Sequence, residues 1–109
     1  MSPKAVEQLK YQVKRLSAGD YTGLWLVAKR ARELLPDASD DQIRSLSLSA
    51  LSDLLRDGTI VVGDPTPGGG FKPWNLTLDQ ALQRISEEWD ILGHAPTRGG
   101  EIADFTTPD

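Results

Sequence analysis

Apolar residues recur along this chain at two periods, and the change from one to the other lays out its elements. From Pro3, residues Val6, Leu9, Val13 and Leu16 stand three, four and three apart, the narrow stripe of an amphipathic helix. They predict a first helix over residues 1–18, ended by Ser17-Ala18-Gly19-Asp20. Leu24, Val27, Ala28, Ala31, Leu34 and Leu35 share one face of a second helix, 22–35, capped by Asp20 or Thr22 and stopped by Pro36. Ser39-Asp40-Asp41-Gln42 has the capping-box spacing and opens a third helix, 40–57, which buries Ile43, Leu46, Ala50, Leu51, Leu54 and Leu55. Gly58 stands where a helix closes in the left-handed conformation. The period then shortens. The β-branched run Thr59 to Val62 and the return run Phe71 to Trp74 predict a two-stranded hairpin over 59–74, with Pro73 confined to an edge. Thr77-Leu78-Asp79-Gln80 repeats the capping box and opens a fourth helix, 77–92, closed by Gly93. Residues 94–109 show no period and read as a loosely ordered tail, in which Ile102 and Phe105 could dock as a small extended segment.

The order of helix, helix, helix, strand, tip, strand, helix predicts a single domain over 1–93, α+β and mainly helical. The passage Leu54-Leu55-Arg56-Asp57-Gly58-Thr59-Ile60, within residues 22–74, resembles the third helix and wing of a winged helix-turn-helix domain. With Gly23-Leu24-Trp25 ahead of it, the chain is also similar to small uncharacterised bacterial winged-helix proteins of about this length. It departs from the pattern between Leu35 and Ser39, where the connection leads straight into one long helix. As a transcription regulator, a protein of this family would place the third helix in the major groove and the wing on backbone or minor groove. Residues Arg44, Ser45, Ser49, Ser52, Arg56 and Lys72 would then make the DNA contacts.

Charge argues against that use. The chain has 109 residues and a net charge of −4, unevenly spread. Residues 1–35 carry seven basic and three acidic side chains, whereas 36–109 carry five basic and thirteen acidic ones, so the two parts should attract. From Asp40 to Asp57 two arginines face four aspartates, an unfavourable potential for phosphate. An acidic, polar third helix suits a protein partner better than DNA. Small acidic immunity proteins that neutralise nucleic-acid-cleaving toxins are a special case, since they complement basic active sites.

The candidate contact surface for such a partner is the flank of the second helix, which the first helix could instead cover. Trp25 and Leu26 fall off its apolar stripe, beside Lys29 and Arg30, and an aromatic anchor next to arginine is the usual make-up of an interface hot spot. The narrow seam of the first helix also admits a homodimer.

Enzymatic chemistry finds little to work with. No cysteine is present, and the single histidine, His94, has no nucleophile or metal-ligand set near it in sequence, so neither a catalytic site nor a cofactor is expected. Glu87 and Glu88 point about 100° apart on a helix and share no site. Gly68-Gly69-Gly70 joins two extended runs and lacks the lysine and helix of a phosphate loop, which makes it a hairpin tip. No run is long and apolar enough for a membrane span or a leader, so the expected location is the cytoplasm, with no membrane partner.

Overall fold

The computed structural model describes residues 3–98 and 101–108. The chain is α+β and mainly helical, with elements in the order α1 (Pro3–Gly19), β1 (Thr22–Gly23), α2 (Leu24–Leu34), α3 (Asp40–Arg56), β2 (Val61–Thr66), β3 (Gly70–Pro73), α4 (Leu78–Leu92) and β4 (Asp104–Thr106). No helix among the described residues is long and apolar enough to cross a membrane.

Local chemistry sets most of the boundaries. Ser39 and Gln42, and likewise Thr77 and Gln80, form reciprocal capping boxes, so α3 and α4 start where the sequence places them. At the end of α3, Gly58 takes φ 79° and its N–H donates to the Leu55 carbonyl, while Thr59 N–H donates to Leu54 at 2.9 Å. These two bonds make a Schellman closure, which satisfies the last carbonyls of the helix and turns the chain into β2. Gly93 closes α4 in the same left-handed region, at φ 78°. Thr66-Pro67-Gly68-Gly69 forms the hairpin tip, where Gly69 N–H donates to the Thr66 carbonyl and Gly68 takes φ 90°, as a proline-glycine turn requires.

The sheet corrects the expected hairpin. It has four antiparallel strands in the order β1-β4-β2-β3. The fourth strand comes from the segment read as a loosely ordered tail, and it lies inside the sheet with Phe105 fully buried. β1 comes from residues expected to open the second helix; pairing with Phe105 and Asp104 holds Thr22 and Gly23 extended instead. β2 starts two residues later than expected and runs to Thr66, carrying Pro65 past the end of β4, where no ladder bond is lost. Pro73 sits on the edge strand, as its missing N–H demands.

One core joins helices and sheet through Leu9 and Val13 of α1, Leu24, Val27 and Ala31 of α2, Leu46, Ala50 and Leu51 of α3, and Ile60, Val62, Ile85 and Phe105. The buried row of α1 is Ala5, Leu9, Val13 and Ser17, with Val6 and Leu16 only half-buried. Rows of every fourth residue are the ridges that pack slantwise on a neighbouring helix, and α1 lies on both α3 and α2. The seam that admitted a second copy is thus filled by the chain's own helices. Ser17 Oγ donates to Thr22 Oγ1 at 3.1 Å, a buried bond tying the end of α1 to β1.

Two substitutions test this frame by urea unfolding. Phe105→Ala is expected to lose about 3–5 kcal/mol, because it opens a cavity at the centre of the sheet; a loss under about 1 kcal/mol would mean that β4 is not part of the cooperative unit. Gly58→Val is expected to lose about 1 kcal/mol or more through backbone strain alone, since open space surrounds the site of its Cβ.

Candidate functional site

The expected surface on α2 is divided by the fold. Trp25 and Lys29 line a groove of about 380 Å³ with Ala28, Arg32, Asp40, Ile43 and the segment Ala95–Thr97 that follows α4. Arg30 is turned away from it into a separate hollow with Tyr11 and Arg15 of α1, and it pairs with Glu33 at 2.9 Å. Leu26, one residue from Trp25, is half-buried on that turned side. Trp25 is therefore flanked by the chain leaving α4, with Pro96 buried. Glu101 fixes this segment by accepting N–H bonds from Thr97 at 2.8 Å and Arg98 at 3.1 Å, and the Thr97 bond leads in holding its carboxyl below the usual range. Arg32 secures the opposite wall, donating to the Pro36 and Ala38 carbonyls and pairing with Asp40 at 2.7 Å.

The residues expected to meet DNA are not gathered. Ser45, Ser49, Ser52 and Arg56 follow one line along α3, but Arg56 is bound to Asp53 and to the Ser52 hydroxyl. Arg44 is drawn toward α4, where it pairs with Asp90 at 2.6 Å, donates to the Ser86 carbonyl at 2.8 Å and lies 5.5 Å over the Trp89 ring. Lys72 projects from the edge strand, opposite Asp64.

A group that the sequence reading missed lies behind Trp25. Cross-strand pairing aligns Gly23, Asp104, Gly63 and Pro73 in one row across the sheet. Residues directly opposite on paired strands share a face, so Asp104 is flanked by two residues without side chains. The space is taken by rings and backbone: a Cβ at Gly23 would lie 2.5 Å from Trp25 Cδ1, and one at Gly63 would meet the Lys72 carbonyl oxygen first and then Phe71 Cζ at 2.7 Å. Tyr21 stacks on Phe71 at 5.3 Å and stays 43% exposed. Under this aromatic cover Asp104 is 8% exposed, and its Oδ1 has no hydrogen-bond partner among the described residues. Burial, and secondarily the charge of Asp64, pushes the Asp104 carboxyl above the usual carboxylate range. Sequence carried no sign of this site, because Asp104 stands in an aperiodic segment and its glycine neighbours are 81 and 41 positions away.

His94, exposed, is 2.8 Å from the Ala95 carbonyl through Nδ1. Among the described residues no three His, Asp or Glu side chains converge as a metal site. Compared with known proteins, the chain matches no family model, no curated protein and no solved structure.

Asp104 holds its proton more tightly in the fold than in the unfolded chain. The stability this confers is complete below the ordinary carboxylate range and is lost as pH rises through the raised folded value. Asp104→Asn should therefore melt higher than the parent near about pH 7, with the gap closing near about pH 4. A gap independent of pH would show that the carboxyl titrates normally.

Proposed function

We propose that the chain is a non-enzymatic protein-interaction module whose contact face is the groove beside Trp25, with neutralisation of a basic toxin as its special form. The supporting observation is Trp25 itself. It is half-buried, stands outside the main core, and opens onto a groove with an apolar floor of Ala28, Ile43 and Ala95 and a rim of Lys29, Arg32 and Asp40. An apolar centre inside a charged rim is the usual anatomy of a protein interface, and tryptophan is the residue most enriched among its energetic anchors. The excess of thirteen acidic over five basic residues beyond Leu35 favours a basic partner and faster encounter with it.

The regulator reading fares worse on the same geometry. For α3 to read a major groove, Arg44 would have to leave Asp90, the Ser86 carbonyl and Trp89, and thereby release α3 from α4.

The test begins with a photo-crosslinker in place of Lys29, which is exposed on the rim. The partner it captures is then purified and titrated. Trp25→Ala is expected to weaken its binding by at least about tenfold, roughly 1.4 kcal/mol; an unchanged affinity removes the groove from the interface. For the toxin case, co-expression should protect cells from the captured partner, and Trp25→Ala should abolish the protection. Conversely, a shift of nonspecific duplex DNA at low salt that fades steeply as salt rises, and is lost in Arg30→Glu, would replace this reading with nucleic-acid binding.

A further inference from the structure

We infer that the Asp104 carboxylate, under its aromatic cover, is the receptor for an arginine side chain of the partner protein. The inference rests on the interaction reading above and names the chemistry of its anchor.

Asp104 has no hydrogen-bond or ion-pair partner among the described residues. Arg84, a cation held near the sheet, is bound to Asp64 at 3.7 Å and Glu88 at 2.8 Å and lies 3.9 Å over the Trp74 ring. Alternation along β2 turns Asp64, and Arg84 with it, to the face opposite Gly63 and Asp104. No ion pair or hydrogen bond among the described residues compensates the Asp104 carboxyl, which is 8% exposed. A buried acid left in this state favours any cation that can reach it.

The interval around Asp104 suits a flat cation of defined width, and its cover is made of rings that must move aside to admit one. β1 and β2 flank β4, so their axes stand about 9–10 Å apart, twice the spacing of paired strands. Gly23 and Gly63 place no Cβ in that interval, which the rings of Trp25 and Phe71 and the Lys72 carbonyl close. A planar group stacked between two aromatic faces needs roughly 3.5–4 Å on each side, which the interval admits once the rings stand upright. Trp25 also borders the groove of about 380 Å³, and Tyr21, stacked on Phe71, is partly in solvent.

Guanidinium fits this site better than ammonium. Its planar fork meets a carboxylate with two parallel bonds, it stacks on aromatic faces, and it sheds water more readily. The charge balance beyond Leu35 would draw such a group in.

Titration of the full chain with N-acetyl-argininamide, followed by NMR, tests this directly. Saturable shifts are expected at the Trp25 indole N–H and at the Phe71 and Asp104 amides. The lysine analogue should bind more weakly, and the citrulline analogue, equal in shape but uncharged, should leave these signals in place. Asp104→Asn, checked for folding by its melting curve, should weaken the arginine probe by at least about tenfold. Equal response to citrulline, or an unchanged affinity in Asp104→Asn, overturns the inference. If the captured partner depends on Trp25 but is indifferent to Asp104→Asn, the groove reading survives and the arginine anchor does not.

Discussion

Three residues, Asp104 to Thr106, hold the molecule together by pairing on both sides, with Thr22–Gly23 and with Val61–Gly63. Without that strand β1 would have no partner, and β2 and β3 would be an isolated hairpin, which is marginal in water. The Leu24 N–H also donates to the Ala103 carbonyl at 3.0 Å, so the first turn of α2 is anchored by the same segment. Closing a loop of this length costs only slightly more than closing a shorter one, since the entropy grows with the logarithm of length. Burial of the Phe105 ring in the shared core offsets that cost.

The same pairing fixes the chemistry of the opposite face. Successive residues of a strand point to opposite sides, so a sheet that buries Phe105 against the helices must turn Asp104 away from them. There it meets Gly23 and Gly63 and the rings that cover them. A carboxyl in this position opposes stability at neutral pH, because its charged form is poorly solvated and no described residue answers it. Residues that weaken a fold in this way concentrate where a protein meets its ligands.

The uneven charge of the chain acts partly inside the fold. Lys10 bonds Glu7 at 3.1 Å and reaches Asp53 at 3.4 Å, and Arg32 meets Asp40 at 2.7 Å, so the basic N-terminal part and the acidic remainder touch as their charges require. Exposed pairs of this kind contribute little each. Arg44 is different in kind, since one half-buried guanidinium joins a carboxylate, a carbonyl and an indole face across two helices. That clasp makes α3 a support for α4.

Much of the fold was legible because its determinants are local. Capping boxes at Ser39 and Thr77, left-handed glycines at 58 and 93, the glycine tip of the hairpin and the apolar stripes of α2 and α3 all depend on residues within a turn of one another. The exposed side of α2 was legible in the same way, although the sequence could not tell that Trp25 and Arg30 would face different neighbours. What only the tertiary structure decided is the fate of short segments. Thr22–Gly23 and Asp104–Thr106 are too brief to show a period of two, and each becomes a strand only because the other is there to pair with it. Asp104 acquired its burial and its raised pKa from glycines and aromatic rings distant in sequence, a property that no local pattern encodes. Local hydrogen bonding and helical period wrote the helices into the sequence, whereas the sheet and the group it presents arise from long-range pairing.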